Sequence, residues 1–149
     1  MLFRSFSMLS LSDRDLIRWC GERRIGVVSY GPLAYGLLTG AITADTTFAP
    51  GDHRSEGGED AYQNLFARGK RQRSLAVVGG MRGVAERLGL TLAQLALAWN
   101  VHQSGVTSAI AGSRDPDHVQ TNAAAGDVDL DDSTLAELEA LFPLGPAFA

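Results

Sequence analysis

Gly112-Ser113-Arg114, followed by Asp115-Pro116, is the run in this sequence best suited to hold an anion. The glycine lets the backbone approach a ligand closely, Ser113 offers a hydroxyl donor, and Arg114 offers a guanidinium fork that matches phosphate. Asp115 is a preferred N-cap and Pro116 a preferred first helical residue, so a helix should open here. Its free backbone N–H groups and positive dipole end would face the same spot. Taken alone, the same residues also read as a capped helix carrying an exposed arginine.

A second glycine-rich turn stands earlier in the chain. The apolar run 25–28 leads into Ser29-Tyr30-Gly31-Pro32-Leu33-Ala34-Tyr35-Gly36 and ends at Gly40. A short β-branched run closed by Gly-Pro reads as a buried parallel strand ending in a tight, shaped loop. Residues 106–111 read as a second short buried strand, placed directly before the Gly112 turn.

Other chemistry-bearing residues carry less. Asp52, His53 and Glu56 have the residue types of a metal site but not a diagnostic ligand spacing. Four basic residues in the six positions 68–73 suit either an anion patch or the solvated start of a helix, and the second reading is favoured. Cys20, the single cysteine, lies on an apolar helical stripe and reads as a buried structural thiol.

Five helices should position these loops. Residues 10–24 carry a Ser12/Asp15 capping pair and a stripe of Leu16, Ile17, Trp19 and Cys20. Residues 74–88 place Leu75, Val78, Met81, Val84, Ala85 and Leu88 at helical spacing, weakened by Gly79, Gly80 and Gly83. Thr91-x-x-Gln94 is a capping box opening a helix that is apolar around most of its girth and should be buried. One helix follows Asp115-Pro116, and a last amphipathic one covers about 132–142. Between the first strand and the second helix, 41–60 is a long polar segment of the kind that forms lids or binding loops. Only two strands are evident, and residues before Ser10 read as the tail of an element begun earlier. Strands separated by helices imply a parallel sheet, here one with open edges.

Bulk properties narrow the class. The chain has 149 residues, 45% hydrophobic and 20% charged, as expected of one globular domain. A net charge of -4 argues against nucleic acid or an anionic membrane as the main partner. No apolar run approaches the ~20 residues of a membrane span, and the N-terminal residues lack the pattern of a signal peptide. A cytoplasmic protein is the expectation.

Three linked motifs carry a family resemblance. They are Val27-Val28-Ser29-Tyr30-Gly31-Pro32-Leu33 with Gly36-Leu37-Leu38-Thr39-Gly40, then 91–99, then Ala109-Ile110-Ala111-Gly112-Ser113-Arg114 with Asn122. In order and spacing they resemble the C-terminal part of the aldo-keto reductase family, from about residue 12 to 142. The resemblance implies an α/β fold: a partial (β/α)8 barrel, its C-terminal portion, with two parallel strands and about five helices. Residues 1–149 would then form a single incomplete domain, its strands the seventh and eighth of the barrel, with 41–60 as a lid. Barrel enzymes often bind phosphate in the loops after these strands.

The same resemblance implies NADP(H) as cofactor. Tyr30 would stack on the nicotinamide, and Gly31, Pro32, Leu33 and Gly36 would lie along the pyrophosphate. Gly112, Ser113 and Arg114 would hold the adenosine 2′-phosphate, with His118 and Asn122 near the adenine. Ala111 stands where the family often has proline, and His118 where glutamine is usual. The family's catalytic Asp, Tyr, Lys and His come from the first half of a barrel of ~250 residues. Tyr30, Tyr35 and Tyr62 are not accompanied by a lysine–aspartate set, and His53, His102 and His118 read as loop or surface histidines. No catalytic residue is assigned. The expected activity is carbonyl reduction by a protein that this chain completes only in part, with an aldehyde or ketone as substrate. A complementary N-terminal barrel half or a homo-oligomer would cover the open edges. The alternative is a non-catalytic dinucleotide-binding or self-associating module.

Overall fold

The computed structural model describes residues 1–5, 14–52, 54–55, 65–66 and 69–141. Three parallel strands, β1 (Leu2–Ser5), β2 (Val27–Tyr30) and β3 (Val106–Ile110), form one sheet in the order β1-β2-β3. Five helices accompany them: α1 (Arg14–Glu22), α2 (Lys70–Leu88), α3 (Leu92–Val101), α4 (Pro116–Ala124) and α5 (Asp132–Ala140). The two expected strands are therefore present, and a third pairs with β2 in the register Leu2↔Val27 to Ser5↔Tyr30. Four residues are too few to show alternation, which is why β1 could not be read from the sequence.

Side chains alternate across β2 as a pleated strand requires. Val27 and Ser29 are buried, Val28 is half-buried, and Tyr30 is exposed. Val27 joins one core cluster with Ile17 and Cys20 of α1, Met81 of α2, and Leu95 and Trp99 of α3. The helix α3 is buried around most of its girth, as its composition required, and its capping box is formed at both hydrogen bonds. Thr91 Oγ1 accepts from Gln94 N–H, and Gln94 Oε1 accepts from Thr91 N–H. These bonds satisfy backbone donors that a helix start otherwise leaves open.

Several expectations are corrected. β3 is not a buried strand: Ile110 is 50% exposed, and only Val106 and Ala109 are half-buried. It pairs with β2 on one side and stands at the edge of the described sheet, so its other edge meets no neighbour there. Trp19 is 46% exposed rather than part of the α1 core stripe, and the Arg23 guanidinium lies 4.2 Å from its ring centroid. The helix α2 begins at Lys70, four residues earlier than its apolar spacing indicated, where Gly69 turns the chain at a positive φ of 86°. Of its glycines, Gly80 has a packing reason. A Cβ there would stand 2.7 Å from Leu141 Cδ2, so the missing side chain lets the α5 end lie against α2. Ser12, half of the capping pair proposed for α1, lies outside the described residues.

Candidate functional site

β2 and β3 run parallel with Tyr30 opposite Ile110, so the loops after both strands leave the sheet at the same end. The β2 loop is conformationally unusual. Gly31, Ala34, Tyr35 and Gly36 all have positive φ (68°, 47°, 55° and 96°), and Gly40 closes the following 3₁₀ segment (Ala34–Thr39) in the left-handed region. Non-glycine residues rarely adopt that region, so the strain at Ala34 and Tyr35 must be held by their surroundings. Ala34, Leu37 and Leu38 are buried in the core and provide that hold. Tyr30 is 42% exposed at the mouth of the turn.

The β3 loop carries Gly112, Ser113 and Arg114, the residues expected to hold an anion. Asp115 caps α4, its Oδ1 accepting from Asp117 N–H at 2.9 Å, with Pro116 as the first helical residue. Ser113 Oγ accepts from Asp115 N–H at 3.1 Å, which leaves the Ser113 hydroxyl hydrogen able to donate outward. His118 Nδ1 lies 3.9 Å from Asp115 Oδ2, and both residues are exposed. Arg114 is exposed and makes no ion pair among the described residues.

These residues meet others across a cavity of about 360 Å³. Its walls are Gly112, Ser113, His118, Thr121 and Asn122 on one side, with Thr39, Ala41, Thr91 and Ala93 on the other. Of the residues expected to bind cofactor, Gly112, Ser113, His118 and Asn122 are brought together here. Tyr30, Gly31, Pro32, Leu33 and Gly36 lie on the neighbouring β2 turn and do not line it, and Arg114 follows directly on the lining Ser113. Thr39, Ala41, Thr91, Ala93 and Thr121 were not read from the sequence as site residues. Thr121 could have been found, since it lies one helical turn beyond His118 on α4. Thr91 was hidden by its capping role.

The long segment after Gly40 is tied down where it is described. Asp52 receives both Nε and Nη2 of Arg54, at 2.9 and 2.7 Å, and this pairing favours the charged guanidinium. Arg54 also lies over the Phe48 ring at 4.7 Å. Asp52 is thus engaged by an arginine, while His53 and Glu56 lie outside the described residues. Among the described residues no group of three His, Cys, Asp or Glu is placed to hold a metal ion. No described helix is long and apolar enough to cross a membrane.

A strand-turn-helix unit at the C-terminal edge of a parallel sheet, flanked by helices, defines the class of fold. The model of the aldo/keto reductase family matches residues 2–142, and the chain belongs to that family of oxidoreductases. It is 38% identical over 109 residues to a probable voltage-gated potassium channel subunit beta of Arabidopsis thaliana, covering 70% of this chain and 30% of that protein. It is 32% identical over 121 residues to the NADH-specific methylglyoxal reductase of Escherichia coli K12, covering 81% of this chain and 35% of that one. Among solved structures, the glycerol dehydrogenase AKR11B4 of Gluconobacter oxydans superimposes with a TM-score of 0.82 at 24% identity, over 97% of this chain and 44% of that one. The fold is accordingly a portion of a (β/α)8 barrel, and the chain spans about a third of the length of the two curated relatives.

Proposed function

We propose that this chain carries the cofactor-phosphate site of an NADP(H)-dependent carbonyl reductase. The observation that carries the reading is the shared cavity: Gly112, Ser113, His118 and Asn122 face Thr39 and Ala41 across one space at the C-terminal ends of β2 and β3. The residues suit a phosphorylated dinucleotide. A Cβ built on Gly112 would meet nothing within 4 Å, so the backbone there is open to approach. Beside it stand a hydroxyl able to donate, an arginine without an ionic partner among the described residues, and the N-terminus of α4. Together these donors favour a dianionic phosphate.

In this reading Gly112, Ser113 and Arg114 hold the 2′-phosphate, and His118 and Asn122 border the adenine. Gly31, Pro32, Leu33 and Gly36 run along the pyrophosphate, and exposed Tyr30 offers its ring to the nicotinamide. The bound cofactor supplies a hydride, with an aldehyde or ketone as acceptor. The residues of this chain bind and orient; none is assigned to proton transfer. Residues 1–149 act as part of one barrel domain, with the segment after Gly40 as its lid, and the expected compartment is the cytoplasm. The E. coli relative is described as NADH-specific; Arg114 is the reason to favour NADP here.

Calorimetric titration with NADP and, separately, NAD tests this. NADP should bind, and Arg114→Ala should weaken NADP by about tenfold or more, the scale of one lost charged hydrogen bond, while NAD is little changed. Equal affinities of wild type and variant for NADP would overturn the 2′-phosphate assignment. The exposed Tyr30 and Ile110, paired in register, favour a second reading, a non-catalytic module that binds dinucleotide or associates with itself. A mass that rises with concentration in sedimentation would support it. Recovery of reductase activity on mixing with an N-terminal barrel half would count against it.

A further inference from the structure

Nine described residues line the cavity, and most have no side-chain donor left for a ligand. Thr39 Oγ1 donates to Gly36 O at 2.7 Å. Thr91 Oγ1 donates to Gln94 Oε1 at 3.1 Å, and Thr121 Oγ1 to Asp117 O at 2.8 Å. Ala41, Ala93 and Gly112 have no polar side chain. Three side-chain donors remain, the Ser113 hydroxyl, the Asn122 amide and the His118 imidazole, all on the α4 side. Of these only His118 can carry a charge, so it is the single ionisable residue among the described lining. Its ring is open to solvent, and Nδ1 lies 3.9 Å from Asp115 Oδ2, beyond hydrogen-bond distance. With Asp115 on the Nδ1 side, Nε2 is the nitrogen left to meet a ligand.

We infer that His118 gives this cavity a proton-controlled preference for a 2′-phosphorylated dinucleotide, its imidazolium donating to the 2′-phosphate and its neutral ring holding that anion less tightly. The inference rests on the cofactor reading above and deepens it, making His118 a phosphate donor as well as a neighbour of the adenine. The 2′-oxygen and the adenine sit on adjacent carbons of the ribose, so one side chain can border both. A neutral imidazole donates from one nitrogen and accepts at the other, whereas the protonated ring donates from both. A donor that carries charge also binds an anion more strongly than a neutral one. Between pH 5 and 8 histidine is the side chain that ordinarily changes charge. The other charged groups of this corner are Arg114, Asp115 and Asp117 at the start of α4, and Asp127 in the turn beyond its end. The helix α3, packed against α4, carries no charged residue. His102, at the C-terminus of α3, is engaged by Ala98 O and Leu130 N–H. His118 is therefore the group through which a proton acts on the cavity.

The test is calorimetric titration of NADP and, separately, NAD into the wild-type chain, His118→Gln and His118→Lys, at about pH 8 and about pH 6. A phosphate monoester itself takes up a proton at about pH 6, and this acts on all three proteins alike. The quantity read is therefore the ratio of wild-type to variant affinity at each pH. Against His118→Gln, which keeps a neutral donor, the NADP ratio should be near one at the higher pH. It should rise by about threefold or more at the lower pH, the scale of a charged over a neutral hydrogen bond at an exposed site. The NAD ratio should be the same at both. His118→Lys, charged throughout, should bind NADP more tightly than His118→Gln at both pH values. Melting curves of the two variants should match wild type, because the His118 ring is exposed and hydrogen-bonds to nothing described. An NADP ratio that does not change with pH, or one that rises equally for NAD, would overturn the inference and leave the cofactor reading standing. Failure of the wild-type chain to bind NADP at either pH would overturn both.

Discussion

Ser29 Oγ donates to Oδ1 of Asn100 across 2.6 Å, and both side chains are completely buried between β2 and α3. Ser29 is also the residue before Tyr30, so this bond ties the end of β2 to the most buried helix of the protein. A buried, satisfied polar pair fixes orientation more strictly than apolar contact does, because any shift leaves a desolvated group unpaired. Ser29→Ala removes one partner and should lower stability by about 1–3 kcal/mol. Urea denaturation followed by circular dichroism measures this. A variant as stable as wild type would mean that the pair contributes nothing net.

The glycine-rich turns, the capping box at Thr91 and the Asp115-Pro116 helix start were all legible in the sequence, because each is a local device encoded within four or five residues. What the sequence did not disclose depends on partners far along the chain. β1 has only four residues and exists through its pairing with β2. β3 is apolar enough to be buried, yet stands exposed at an edge. The basic run at 68–73 does open a helix at Lys70, with Arg73 exposed. What it did not disclose is that Arg71 reaches back to the segment after Gly40, a contact spanning 25 residues or more. At the cavity, the Gly112 side was readable as a motif. The opposite wall was not, since Thr39, Ala41 and Ala93 have ordinary types and owe their place to packing.

Gly105 and Gly89 separate two ways in which glycine can be required. Both have positive φ, 99° and 67°. A Cβ on Gly105 would stand 2.2 Å from the Ile17 carbonyl oxygen, where the start of β3 passes against α1, whereas one on Gly89 would meet nothing within 4 Å. Gly89→Ala should therefore cost only the backbone strain, about 1–2 kcal/mol. Gly105→Ala adds a backbone clash and should cost about 3 kcal/mol or more. Thermal melts of the two variants give the comparison, and equal losses would contradict it.

Asp131 gives the fold an acid-sensitive contact. It caps α5, accepting from Thr134 N–H at 2.7 Å and from the Ser133 hydroxyl at 2.9 Å. The backbone hydrogen bond from Thr134 first, then the Thr134 and Ser133 side chains, favours the carboxylate and holds its pKa below the usual aspartate value. The unfolded chain therefore takes up this proton at higher pH than the folded one. The cap's contribution is complete above the ordinary aspartate range and is lost as pH falls through the folded-state value. Urea midpoints of wild type and Asp131→Ala should differ by a constant amount from about pH 8 to about pH 5 and converge in acid below that. A gap that persists unchanged into acid would separate the cap's effect from its charge.

Arg71 anchors the segment that leads away from the cavity wall. Its Nη2 donates to the Thr46 carbonyl oxygen at 2.7 Å and to that of Thr43, and its guanidinium lies 5.5 Å from the Phe48 ring centroid. The turn it grips is closed on itself by Thr43 N–H donating to Thr46 Oγ1 at 2.9 Å. Phe48 in turn packs edge-on against Phe66 at 5.4 Å, so two cations, Arg71 and Arg54, and one ring pair meet at Phe48. Hydrogen bonds from a charged donor contribute about 1.5–3 kcal/mol each, so losing them should raise the local opening of residues 43–52 by about tenfold or more. Amide hydrogen exchange of Arg71→Ala should show that increase there, with protection in α3 unchanged. Arg71→Lys should fall between the two, since one ammonium cannot reproduce the planar fork. If exchange at 43–52 does not respond to Arg71→Ala, burial of Ile42, the Phe48–Phe66 contact and Arg54 on Asp52 and Phe48 hold the segment in place without it.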